Sequence, residues 1–180
     1  DMKRHLLECR AGPAVVGMDK LLDDMGALGV VVEQAHANLD RIVEAVKPDF
    51  LQLHGGETPE RAQAVRQRYG LPVIKAFSIR DAADLARIDP YRGVADRFLF
   101  DAKPPKGSEL PGGNGVAFDW TLLAKLDGDV DYMLSGGLDA GNIRNALEMT
   151  GARAVDLSSG VESAPGVKDS ALIARFFEEL

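Results

Sequence analysis

Two glycine turns near the C-terminal end, Leu134-Ser-Gly-Gly-Leu138 and Leu157-Ser-Ser-Gly-Val-Glu162, each follow a short apolar run. Turns of this kind present backbone amides, and only a bare backbone can approach the oxygens of a phosphate closely. A lone Gly-Gly after a strand is usually just a turn. Two Ser- and Gly-rich turns after successive strands point instead to an anion site built on Gly136, Gly137, Ser158, Ser159 and Gly160. Asp101 is the next candidate, at the end of Arg97-Phe-Leu-Phe-Asp101. A carboxyl at the mouth of an apolar strand is partly desolvated, which raises its pKa and suits it to donate a proton near neutrality. The competing reading is a surface or capping aspartate that Lys103 and Lys106 keep ionised. His54 closes Gln52-Leu-His-Gly55 and either faces the pocket or hydrogen-bonds within its rim. His5 and His36 stand at no ligand spacing to it, so a metal is not expected. Cys9 is the sole cysteine, which excludes an intrachain disulfide; such a residue is either a small buried hydrophobe or a reactive thiol.

The elements that must position these residues alternate from Gly29 onward. Apolar runs at Gly29–Val32, Phe50–Leu53, Val73–Phe77, Arg97–Phe100, Asp131–Leu134 and Ala154–Leu157 read as strands. Helical segments separate them. Thr58-Pro59-Glu60 opens one that Gly70 ends, because threonine caps an orphan amide and proline at the first helical position has none to lose. Asp81 caps another through Ile88, the Trp120 region forms one to Leu126, Asn142 to Met149 forms the next, and Asp169 caps the last. Six βα units of this kind predict a parallel sheet covered by helices. Polar residues gather at the C-terminal strand ends (His54, Asp101, Ser135, Ser158), the rim that carries the active site in a (β/α)8 barrel. A doubly wound sheet explains the alternation equally well but not those strand ends. The expected fold is therefore α/β, a (β/α)8 TIM barrel of one domain over residues 1–180, incomplete or rearranged in its first two βα units.

Residues 1–28 are atypical for that plan. Arg4–Cys9 and Ala14–Gly17 could be the two remaining strands, but too few residues separate them for a parallel crossover. One unit is absent, or the two segments pair antiparallel, or the region is partly helical. The loop from Ala102 to Asp119 holds Gly107, Gly112, Gly113 and Gly115, and a loop this long either covers a substrate or is simply mobile.

A net charge of −7 without a basic run argues against a nucleic-acid partner but is compatible with a small phosphorylated ligand held by amides. No apolar run reaches the length of a membrane span and no secretory leader is evident, so a cytoplasmic protein is expected. Its oligomeric state, monomer or homodimer, is open.

Taken together, Gln52-Leu-His-Gly55, Pro72–Phe77, Phe98–Lys103, Gly112–Gly115 with Phe118-Asp-Trp120, Leu134–Leu138 and Val155–Asp169 resemble the phosphoribosylanthranilate isomerase family of tryptophan biosynthesis. The resemblance runs from about Val30 to Leu180, and its last segment is the most specific. It implies an Amadori rearrangement of an aminoaldose phosphate to an aminoketose phosphate, with no metal or cofactor. It implies Asp101 as the general acid and Gly136, Gly137, Ser158, Ser159 and Gly160 as the phosphate cradle, with Asp156, Glu162 and His54 around the rest of the substrate. The family's base is a cysteine in a Lys-Ile-Cys-Gly segment; here Cys9 stands in Leu7-Glu-Cys-Arg10. The family's Ser-Pro-Arg segment is also absent, so the alternative is an impaired barrel that only binds a phosphorylated ligand.

Overall fold

The computed structural model describes residues 29–32, 36–102 and 119–180. Its main sheet has six parallel strands in chain order: β1 (Gly29–Val32), β2 (Phe50–Leu53), β3 (Val73–Ile79), β4 (Arg97–Ala102), β5 (Tyr132–Leu134) and β6 (Ala154–Val155). That order separates the two candidate architectures. A doubly wound sheet reverses direction at a switch point, whereas a barrel adds each strand beside the last. The connections hold α1 (His36–Val46), α2 (Pro59–Tyr69), α3 (Ala82–Ala86) and α4 (Ile143–Thr150), and α5 (Ser170–Glu178) follows the last strand. The fold is of the (β/α)8 barrel type. The two segments expected as further strands, and Cys9 with them, lie outside the described residues, as do Lys103, Lys106 and the glycines of their loop.

Local chemistry sets the helix ends. Thr58 accepts from the Arg61 amide, Pro59 opens α2, and Gly70 closes it in the left-handed conformation at φ 63°. The Asp81 carboxylate accepts from the amides of Ala83 and Asp84. Its helix stops at Ala86, short of the expected Ile88, and a 3-10 turn over Asp89–Tyr91 follows. Pro90 accounts for the break, since it has no amide hydrogen to donate to the Ala86 carbonyl and cannot continue the α-helical ladder. The segment Trp120–Lys125 is 3-10 rather than α-helical. β6 is shorter than the expected Ala154–Leu157: after the Asp156 amide donates to the Leu134 carbonyl, the chain turns into a 3-10 segment, Ser159–Val161. An antiparallel hairpin of β7 (Glu162–Ala164) and β8 (Val167–Lys168) then appears that strand periodicity did not suggest.

The pleat assigns the side chains to two layers. Leu51 and Leu53 pack with Ala62 and Val65 of α2. Phe77 and Ile79 pack with Leu85 and Ile88; Phe98, Phe100, Leu134 and Val155 share that cluster with Trp120, Leu123, Ile143 and Phe176. These residues face the helices. Those of opposite parity face the barrel interior: Gln52, His54, Ile74, Ala76, Ser78, Leu99, Asp101, Met133, Ser135, Ala154 and Asp156. On β3 to β6 the interior is apolar at the level of Ala76, Leu99, Met133 and Ala154 and polar one step higher, at the C-terminal ends.

Phe100 is fully buried, stacks with Phe98 at 6.2 Å and meets Tyr132 at 5.2 Å. Phe100→Ala should therefore lower the unfolding free energy by about 3–5 kcal/mol, read from urea denaturation. A loss below about 1 kcal/mol would contradict its central place in the helix-facing core.

Candidate functional site

Parallel register aligns the interior polar groups of four adjacent strands. Ser78 of β3 is the partner of Asp101 of β4. The Ser135 amide donates to the Phe100 carbonyl at 2.8 Å, and the Asp156 amide to the Leu134 carbonyl at 2.8 Å. Asp101, Ser135 and Asp156 thus form a band across the strand ends, with the Ser135 hydroxyl 3.4 Å from Asp156 Oδ2. His54 follows β2 and lies close enough to both carboxyls to favour their ionised forms. Across a flat sheet, β2 and β6 would be on the order of 19 Å apart. The sheet curls to bring them to one mouth.

Asp101 is only 8% exposed. Burial pushes its carboxyl above the usual carboxylate range, against the pull of His54, and the nearby Asp156 adds to the rise. Asp156 is also raised, by burial first, while the Ser135 hydroxyl, His54 and Lys168 favour its charged form. Two carboxyls in one partly dry site resist joint ionisation. Asp156 has a hydroxyl donor and a lysine to support its charge, whereas Asp101 is opposed by Asp156 itself.

The first glycine turn touches this pair. Gly136 has φ 87° and Gly137 φ 67°, backbone that side-chain-bearing residues rarely adopt. A Cβ added at Gly136 would stand 2.7 Å from Asp101 Oδ1 and 2.5 Å from the Ala102 amide nitrogen. The Asn142 side chain donates to the Gly137 carbonyl at 2.7 Å and anchors the turn to the start of α4. The second turn packs against the first. A Cβ at Gly160 would overlap the carbonyl oxygen of Leu138, so glycine is required there for contact rather than for backbone conformation. Ser159 and Gly160 lie in the 3-10 segment, and Ser158 precedes it.

Ser158 and Glu162 join an exposed cluster that sequence reading did not foresee. The β7–β8 hairpin returns Lys168 to the turn, where its ammonium donates to the Ser158 carbonyl (2.9 Å), the Ser158 hydroxyl (2.7 Å) and Glu162 Oε1 (2.7 Å). The Lys168 ammonium, first among several donors, holds the Glu162 carboxyl below its ordinary range. Ser78, Lys75 and Lys168 were all absent from the sequence-level candidates. Strand parity would have found Ser78; Lys168 depends on a hairpin with no periodic signal. No group of metal-ligating side chains occurs among the described residues, and none of their helices is long and apolar enough to cross a membrane.

Known proteins are similar to this chain in sequence and fold. The family model described as N-(5'-phosphoribosyl)anthranilate (PRA) isomerase matches residues 20–179. The N-(5'-phosphoribosyl)anthranilate isomerase of Brucella canis is 66% identical over 152 residues, which are 84% of this chain and 68% of that one. Among solved structures, phosphoribosyl anthranilate isomerase from Thermotoga maritima superposes with a TM-score of 0.73 at 33% identity, covering 84% of this chain and 71% of that one. A phosphoribosyl anthranilate isomerase in complex with reduced 1-(o-carboxyphenylamino)-1-deoxyribulose 5-phosphate gives a TM-score of 0.68 at 30% identity, covering 84% and 68%. With a family match across most of its length and a relative at this identity, the chain belongs to the phosphoribosylanthranilate isomerase family.

Proposed function

We propose that this chain is an enzyme, an aldose–ketose isomerase that converts N-(5'-phosphoribosyl)anthranilate to 1-(2-carboxyphenylamino)-1-deoxyribulose 5-phosphate. The observation that carries this reading is the closeness of Asp101 to Gly136: a proton-holding carboxyl and an anion-binding turn meet without an intervening side chain. In a furanose 5-phosphate, the ring oxygen and the phosphate ester oxygen are separated by only two carbons. A site that grips the phosphate at one turn must therefore find its acid within a few ångströms.

The steps follow from that placement. Asp101, protonated, gives its proton to the ring oxygen as the ring C–O bond breaks, and the anthranilate nitrogen supplies the electron pair that forms the iminium. A base then removes the C2' proton, and the C–H electrons neutralise the iminium to give the enolamine. Tautomerisation of that species yields the ketose, so the overall change moves hydrogen within one molecule and needs no external oxidant. Gly136, Gly137, Ser158, Ser159 and Gly160 hold the phosphate, Lys168 adds positive charge beside Ser158, and His54, Asp156 and Glu162 surround the sugar. Cys9 is the candidate base through the family resemblance. The working unit is a monomer or homodimer in the cytoplasm, with residues 1–180 as one domain. The second reading, a barrel that binds the phosphorylated ligand without turning it over, rests on the departure from the family at that base and at the Ser-Pro-Arg segment.

The decisive assay follows the loss of phosphoribosylanthranilate fluorescence on adding the purified chain; decay no faster than background, with ligand binding retained, would favour the second reading. Asp101→Asn should lower kcat by about 10²–10⁴-fold. In the unsubstituted enzyme, rate should fall as pH rises through the elevated Asp101 pKa, because the acid form is then lost. The same elevation means that the folded state binds this proton more tightly than the unfolded chain, so stability from protonated Asp101 is present below the unfolded pKa and lost as pH rises through the folded one. Asp101→Asn should consequently raise the melting temperature at pH 7, and a lowered one would sink the claim that ionised Asp101 is disfavoured.

Two further substitutions divide the site. Cys9→Ser should abolish isomerisation while a product analogue still binds; unchanged turnover removes Cys9 from the mechanism. Gly160→Ala displaces the turn from Leu138 and should raise KM by about tenfold or more with a smaller change in kcat. Steady-state kinetics in which kcat alone falls would argue against a binding role.

A further inference from the structure

Lys75 is a lysine at a helix-facing position of β3, where an aliphatic residue would satisfy the core. Its side chain is 3% exposed. A lone ammonium in that setting is costly, and a hydrophobic residue of similar volume is often at least as stabilising as a buried ion pair. Its contacts nevertheless converge on one short stretch of chain. The ammonium donates to the Leu53 carbonyl (3.3 Å), the Gly55 carbonyl (2.9 Å) and the Ala76 carbonyl (3.0 Å). Leu53 and Gly55 are the residues immediately before and after His54. The lysine therefore brackets the histidine backbone from the helix side while the imidazole projects to the interior.

Glu57 completes the bracket. Its Oε2 pairs with the Lys75 ammonium at 3.3 Å and accepts from the Gly55 amide at 3.0 Å. The Tyr91 hydroxyl donates to the Glu57 carbonyl at 2.6 Å, so the far end of the loop is tied as well. The faces of Phe77 and Tyr91 lie 5.1 and 5.9 Å from the ammonium and favour its charge. Burial lowers the Lys75 pKa, opposed by Glu57, and among the described residues Glu57 is the carboxylate paired with it. These side chains lie on the helix side of the sheet. Among the described residues, the network reaches His54 through the backbone on either side of it.

We propose that Lys75, with Glu57, is a positioning residue: it fixes the loop 53–57 so that His54 stands beside Asp101 and Asp156. Where turnover is the readout, this rests on the isomerase reading above. Misplacing a site group by about an ångström costs on the order of a hundredfold in rate, so Lys75→Met should lower kcat by about ten- to a hundredfold. The test is a double-mutant cycle with His54→Ala, measured as kcat and KM. If Lys75 works through His54, Lys75→Met/His54→Ala is no slower than His54→Ala alone; losses that multiply would overturn the proposal. A second measurement does not involve turnover. The His54 ring resonance in the proton NMR spectrum, assigned by its disappearance in His54→Ala, should shift in Lys75→Met while those of His5 and His36 stay in place. An unmoved His54 resonance would overturn the proposal. Should Lys75→Met not fold, Glu57→Gln enters the same cycle and the same spectra with the same expected direction. If the unsubstituted chain fails to isomerise, the isomerase reading fails, and the His54 resonance alone decides the role of Lys75.

Discussion

The alternation of side chains along parallel strands divides every strand of this barrel between two environments, and the rest of the molecule is arranged around that division. Helix-facing positions meet two apolar clusters, one around Leu51 and Leu53 and one that runs from Phe77 through Phe100 to Val155. On β3 to β6, interior positions are apolar at the level of Ala76 and Leu99 and become polar one step higher, at Ser78, Asp101, Ser135 and Asp156. That step keeps these polar side chains at the mouth, where they are not buried without partners. It is also what gives the carboxyls their character. They sit at the boundary where water thins but is not wholly excluded, and burial there raises the pKa of Asp101 without stranding it.

Charge inside such a layer is tolerated for different reasons on the two faces. On the interior face, Asp101 lacks the hydroxyl and lysine support that Asp156 receives, and burial raises its pKa against the pull of His54 and the Ala102 amide. On the helix face, Lys75 is given three carbonyls, a carboxylate and two aromatic rings, and its charge is retained by direct contacts. One site is under-solvated and labile to protons; the other is saturated with partners and rigid. The candidate acid and the proposed clamp are thereby distinguished by their surroundings rather than by residue type.

How much of this was legible beforehand follows from the range of each interaction. The cap at Thr58, the stop at Gly70 and the six apolar runs depend on neighbours a few residues away, and the sequence shows them directly. The early end of α3 is equally local: Pro90 stops the helix that the Asp81 cap starts. Asp101 and the two glycine turns were visible as candidates, since strand ends and glycine pairs announce themselves. Their mutual contact was not, because Gly136 meets Asp101 only through the β4–β5 register. Lys75 and Lys168 were invisible for the same reason. Each acts on a residue ten or more positions away, Lys168 across a hairpin and Lys75 across a pair of parallel strands.

That register also explains why the anion turn and the acid are difficult to separate by mutation. Gly136 has two duties: a left-handed backbone that opens the turn, and an empty Cβ position that admits Asp101 Oδ1. Any side chain there strains the first and fills the second. Gly160 binds the second turn to Leu138, and Leu138 is in turn part of the core that Phe100 and Leu134 share. The backbone of the two glycine turns is thus coupled to the hydrophobic layer through direct packing on both sides. Small shifts in β4 or β5 must move the acid and the amides together, which preserves their relative placement. A sugar phosphate, whose ring oxygen and phosphate are held at nearly fixed separation, is the class of substrate for which such joint movement is useful.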